Sequence, residues 1–123
     1  MKIAILYGGI SSEHKISIQT GMAVAEAVSK NYELNLINLN EDINQSLNDL
    51  LESDLVFNAL HGGDGENGTI QAYLDLYNMP YTGSGSKASK IAMDKNISKI
   101  MGQSVGIPTP NWILIKRDKQ GGF

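Results

Sequence analysis

"KIAILYGGISSEHKIS", residues 2–17, decides the fold, because a short apolar run turns through a glycine pair directly into a segment of helical spacing. "KIAILY" is apolar and β-branched nearly throughout, as expected of a strand covered on both faces. Gly8 and Gly9 allow positive φ and close approach of the backbone. Beyond them Ile18, Met22, Ala25 and Val28 recur at helical intervals, and Ser17 is the expected N-cap.

The same alternation continues downstream. "YELNLINL" reads as a second strand through Leu34 and Leu36, and "INQSLNDLLES" puts Ile43, Leu47, Leu50 and Leu51 on one helical stripe. "DLVFNAL" at 54–60 is a third strand. "TIQAYLDLYN" is a helix with Ile70, Leu74 and Tyr77 inward, and "MPYTGSG" a brief fourth strand and turn. Tyr73 and Tyr77, four apart, are expected at the core edge. The order β-α-β-α-β-α-β with short connections predicts an α/β, Rossmann-like parallel sheet with helices on both faces and right-handed crossovers. From Ser86 the pattern changes to one helix, "SKASKIAMDKNISKIMGQSVG", then a proline break and a strand-like "WILI". The expected organisation is therefore an α/β domain over 1–85, then a helix and linker over 86–123 that enter a second domain.

Composition narrows the function. The chain has 123 residues, 41% hydrophobic and 19% charged, with formal net charge −3. That suffices for one ordinary core and does not suggest a nucleic-acid binder. Charge is unevenly placed: residues 1–86 carry 3 lysines and 11 acids, whereas residues 87–123 carry 7 basic residues and 2 acids. The absence of cysteine removes disulfides, thiolate catalysis and cysteine zinc sites, and fits a reducing compartment. No apolar stretch approaches a membrane span and no leader pattern precedes the first strand, so a soluble cytoplasmic protein is expected.

Two glycine-rich segments, 8–12 and 62–68, leave the ends of strands 1 and 3 and should open on one edge, where such sheets gather ligands. In the first, a phosphate would be the default ligand of a glycine turn before a helix. Glu13 opposes that, since a fixed carboxylate repels a second anion and attracts a cation, which makes an ammonium group the better match. The spacing also fails both the dinucleotide fingerprint and the phosphate-loop pattern. Taken alone, Glu13 could equally serve only the helix terminus as a first-turn acid. The second segment, "HGGDGENGT", sets His61 before four glycines in residues 62–68. Each glycine costs roughly 0.5–1 kcal/mol relative to alanine in a regular element, so something must lie close to that backbone. His61 could be a donor or a general base, or could simply satisfy strand-end groups. A metal site is not expected, although His61, Asp64 and Glu66 carry suitable atoms, because no pair stands at helical i, i+4 spacing. Lys87, Lys90, Lys95 and Lys99 read from spacing alone as a solvated face. Ser11, Ser12 and Ser17 lack a nucleophile elbow.

The stretches "GGISSEHKIS", "ALHGGDGENGTIQAYLDLYNMPYTGSGSKASKIAMDK" and "SKIMGQSVGIPTPNW" resemble the N-terminal part of D-alanine:D-alanine ligases, ATP-grasp enzymes of bacterial peptidoglycan synthesis. The resemblance runs from Lys2 to about Trp112 and is weakest from Asn31 to Ser53. Its specific part is the pattern H-G-x-x-G-E-D-G-T, with G-G-x-S-x-E-x-x-V/I-S in support. It implies a pre-ATP-grasp α/β fold and a reaction in which ATP, with magnesium, phosphorylates one D-alanine and the amine of a second attacks. It further implies that Glu13 holds the first D-alanine's ammonium as the catalytic and substrate-binding carboxylate. His61, Gly62 and Gly63 would flank that substrate, Ser17 would stand near it in a mainly structural role, and Lys95 would serve the ATP site. The family's habit is dimerisation. Asn67 departs from the pattern, which has Asp there. The magnesium carboxylates and the rest of the nucleotide site are expected beyond "KQGGF", so this chain alone is expected to be inactive. Two alternatives are a stand-alone amino-acid-binding module and a related ATP-grasp ligase with a different second substrate, although His61 favours the dipeptide-forming type.

Overall fold

The computed structural model describes residues 1–40 and 42–115. Three parallel strands form the sheet: β1 (Lys2–Gly8), β2 (Glu33–Leu39) and β3 (Leu55–Asn58), in the order β2-β1-β3. Register pairs Ile3 with Leu34 and Leu55, and Leu6 with Ile37 and Asn58. Side chains alternate across a strand, so β1 sends Ile3, Ile5 and Tyr7 to one face and Ala4 and Leu6 to the other. Both faces are covered, as expected from its unbroken apolar run.

Helix α1 (His14–Val28) covers the first face, where Ala25, Val24 and Val28 meet Ile3, Ile5, Leu34 and Phe57. Helices α2 (Leu47–Leu51), entered through a 3-10 turn at Ile43–Ser46, and α3 (Thr69–Leu76) cover the second. Leu50, Ile70 and Leu74 pack there with Leu6, Ile37 and Val56. Tyr73 and Tyr77 lie at the edge of this core, with ring centroids 5.2 Å apart.

Several expectations need correction. The expected fourth strand is a single parallel bridge between Val56 and Tyr81, with Val56 N–H donating to Pro80 and Thr82 N–H to Val56. Tyr81 turns its hydroxyl to Asp75 Oδ1 at 2.8 Å; burial, with that carboxylate, raises its pKa above the ordinary phenol. On α1 the inward positions are Ser17, Gly21 and Ala25, while Met22 is exposed. The helix lies so close to β1 that only small residues fit between them. Ser17 is not the N-cap: the helix starts earlier, behind Glu13, and Ser17 is its fourth residue. Leu51 is exposed because α2 ends after one and a half turns.

The single helix expected from Ser86 is two, α4 (Ser86–Met93) and α5 (Lys95–Ser104). Asp94 breaks it, adopting an extended backbone and accepting from the N–H groups of Asn96 and Ile97 at 3.0 Å each, the geometry of an N-cap. Gly106, at φ +79°, closes α5 with Ile107 N–H on Gly102 O. "WILI" forms no strand. Trp112 instead folds back on α5, its Nε1 donating to Asn96 Oδ1 at 2.9 Å and its ring lying under Lys99 Nζ. The lead into a further domain past Ile115 lies outside the described residues. Among the described residues no helix is long and apolar enough to cross a membrane.

Candidate functional site

The chain leaves β1 for α1 on one face and leaves β3 for α3 on the other, so the crevice between β1 and β3 is where the connections diverge. Ligands of open α/β sheets settle at such points, outside the strands' carboxyl ends. The two glycine-rich segments meet there. Ser11 Oγ donates to His61 O at 2.6 Å and accepts from Glu13 N–H at 3.1 Å, joining both loops through one hydroxyl.

Glu13 sits at the N-cap of α1 without a side-chain capping bond, and its side chain is exposed. Of the first N–H groups of the helix, that of His14 donates to Ser11 O at 3.2 Å, and the Glu13 carboxylate takes none of them. Gly62 shows why its loop is glycine: at φ +67°, a Cβ there would stand 3.2 Å from Glu13 Oε2 and 3.3 Å from Ser11 Oγ. Gly63, at φ +49°, continues the loop into a 3-10 turn over Gly63–Gly65. Both glycines thus lie against the Glu13 loop.

His61 bridges the two sides of the crevice. Its Nε2 is 3.0 Å from Thr20 Oγ1 on α1, and its Nδ1 is 4.0 Å from Glu66 Oε1. Glu13, His61 and Glu66 each bring a ligand atom within 4.8 Å of the others. An acidic, partly open corner of this kind suits a cation, and in particular an ammonium group that can donate to several acceptors.

Beside this corner lies a cavity of about 320 Å³, lined by residues that include Gly9, Leu39, Leu60, His61, Gly63 and Ile70. Glu13 is not part of its lining, so the carboxylate stands at the neighbouring side of Gly62.

The loops are fixed from below by Ser17, Asn58 and Gln71, of which only Ser17 is marked in the sequence. Ser17, fully buried, accepts from Gly8 N–H at 2.8 Å and donates to Ala59 O at 2.7 Å. A hydroxyl so engaged fastens the ends of β1 and β3 together and presents no surface to a ligand. Asn58 Nδ2 and Gln71 Nε2 both donate to Gly65 O, at 3.0 and 2.9 Å, and hold the second loop. Thr20 was also missed; lying seven residues after Glu13, two helical turns on, it could have been placed on the same face.

Asn67 bonds on both sides: Oδ1 accepts from Thr69 N–H at the start of α3, and Nδ2 donates to Asp64 Oδ1, each at 3.0 Å. An aspartate could make the first bond but not the second, so the amide suits a loop that carries Asp64. Lys95 stands apart from the corner. It is the first residue of α5, is exposed, and makes no ion pair among the described residues.

A family model described as the D-ala D-ala ligase N-terminus matches residues 40–84. The D-alanine–D-alanine ligase of Carboxydothermus hydrogenoformans is 41% identical, in an alignment covering 100% of this chain and 39% of the relative. That of Moorella thermoacetica is 46% identical over 92% of this chain and 37% of its own length. Among solved structures, the D-alanine–D-alanine ligase from Bacillus anthracis complexed with ATP superposes with a TM-score of 0.88 at 40% identity, covering 97% of this chain and 41% of that one. The chain thus spans well under half the length of the relatives it matches. In sequence and in fold, this chain matches the N-terminal part of D-alanine–D-alanine ligases.

Proposed function

We propose that this chain supplies the first amino-acid site of an ATP-dependent D-alanine–D-alanine ligase, acting in the bacterial cytoplasm in peptidoglycan synthesis. The observation that carries the reading is the uncapped, exposed carboxylate of Glu13 held against Gly62 and Ser11 at the crevice between β1 and β3. In such a reaction ATP phosphorylates the carboxylate of one D-alanine, and the amino group of a second displaces phosphate. Glu13 binds the ammonium of the first D-alanine and orients it. His61 flanks the same substrate, and Gly62 and Gly63 keep the approach free of side chains. Residues 1–85 form the substrate domain, and residues 86–123 lead toward the nucleotide-binding part.

ATP is a substrate here, and Lys95 is the residue of this chain that would meet its phosphates. Its exposure and freedom from ion pairs among the described residues fit that role. Magnesium fits less well: Glu13, His61 and Glu66 include an imidazole, whereas that ion takes oxygen ligands.

The test is ATP-dependent phosphate release on adding D-alanine, with L-alanine as control, run on this chain and on the longest product of its gene. Release by the longer product with D-alanine only, and none by the 123-residue chain, is expected. Release by neither would overturn the ligase reading and favour an amino-acid-binding module.

A further inference from the structure

His61 has two ring nitrogens in different surroundings, and a neutral imidazole carries its proton on only one. Nε2 faces the Thr20 hydroxyl at 3.0 Å, whereas Nδ1 faces Glu66 at 4.0 Å, on the side where the Glu13 and Glu66 carboxylates gather. If the proton were on Nε2, the Nδ1 lone pair would point toward negative charge. The Thr20 hydroxyl would then accept from the ring, and its own proton, with no acceptor among the described residues, would be left to solvent at a half-buried position. With the proton on Nδ1 both problems disappear. The hydroxyl donates to Nε2, and the N–H dipole points at the acids.

We propose that Thr20 is a positioning residue that holds His61 in the Nδ1–H tautomer, occupying Nε2 and turning the ring's one proton toward the Glu13–Glu66 corner. His61 then acts as a hydrogen-bond donor at the site and not as a general base through Nε2. A distance of 4.0 Å exceeds a hydrogen bond, so the Nδ1–H is left to donate to an acceptor of a ligand placed in the gap. The proposed tautomer rests on the unliganded geometry; only the identity of the acceptor rests on the ligase reading.

Nitrogen-15 NMR of the imidazoles at alkaline pH, where imidazole is neutral, reads the tautomer directly. The chain has only two histidines, so a His61→Gln variant assigns the signals and His14 is an internal reference. Histidine free in water prefers the Nε2–H form, so the expected result is the reverse of the default: Nε2 unprotonated and Nδ1 protonated at His61. Thr20→Val should return His61 toward the Nε2–H form, and Thr20→Ser should keep the wild-type pattern. The backbone amide spectrum checks folding, with Thr20→Ala as a second variant should valine disturb α1. Wild-type His61 in the Nε2–H form, or the same tautomer in wild type and in a folded Thr20→Val or Thr20→Ala variant, would overturn the proposal. Because no substrate is present, the outcome is independent of whether the ligase activity is found.

Discussion

The Ser17 hydroxyl joins Gly8 N–H and Ala59 O, two backbone groups 51 positions apart in sequence, beneath the point where both loops begin. Replacing it by alanine leaves both unpartnered in the core, and a buried polar group without a partner costs about 1–3 kcal/mol. Ser17→Ala is therefore expected to lose about 2 kcal/mol or more of stability, read as a lower urea midpoint with an unchanged slope. A loss below about 0.5 kcal/mol would show that another group takes over these bonds. The contrast with Glu13 shows what a sequence conveys about single residues. Glu13 stands out in the sequence because its charge conflicts with the expected ligand of a glycine turn. Ser17 and Thr20 are misplaced or missed because a serine or threonine near a helix start looks alike whether it caps, fastens or positions, and only the location of its partners decides. Asn67 is similar: its departure from the family pattern is visible, but its compensation through Asp64 is not.

Among the elements, α1 was legible as a helix, and Ala25 and Val28 of its expected stripe do face the core, but its close seam with β1 was not. Apolar spacing points to Met22, yet the inward residue beside it is Gly21, where a Cβ would stand 2.6 Å from Tyr7 Cβ and 2.9 Å from its Cγ. Ser17, Gly21 and Ala25 recur every four residues, but a reading based on large apolar side chains passes over two of them. Gly21→Ala makes two effects compete: alanine gains about 1 kcal/mol in helix propensity, while overpacking typically costs about 1–3 kcal/mol. Since the clash is with the root of Tyr7 and not its flexible end, the steric cost should win. A net destabilisation of about 1 kcal/mol is expected in thermal or urea unfolding, and a stabilised variant would show that α1 can lift away from β1. Asp94 is the other element-scale lesson. Its capping of α5 could have been read from an aspartate ahead of Lys95, but the apolar pattern ran through it and suggested one helix. "WILI" had strand composition, and it pairs with no strand among the described residues, because composition does not supply a neighbouring strand.

For the whole molecule, the parallel sheet and the meeting of the two glycine loops were legible because they follow from element order and from the rule that ligands gather at strand carboxyl ends. What was not legible is how the inner scaffold is bonded: Ser17, expected near the site in a structural role, spans β1 and β3, and Asn58 and Gln71 hold Gly65 O. The molecule devotes a fixed framework to one exposed carboxylate, and the account stands or falls on what that carboxylate binds. A charge-assisted hydrogen bond contributes about 1.5–3 kcal/mol, corresponding to roughly a 10- to 100-fold change in affinity. The most direct measurement is the KM for the first D-alanine of Glu13→Gln against wild type, in the longest product of the gene. The account predicts a KM raised about 10-fold or more in a variant that folds normally; wild-type KM and kcat would contradict it.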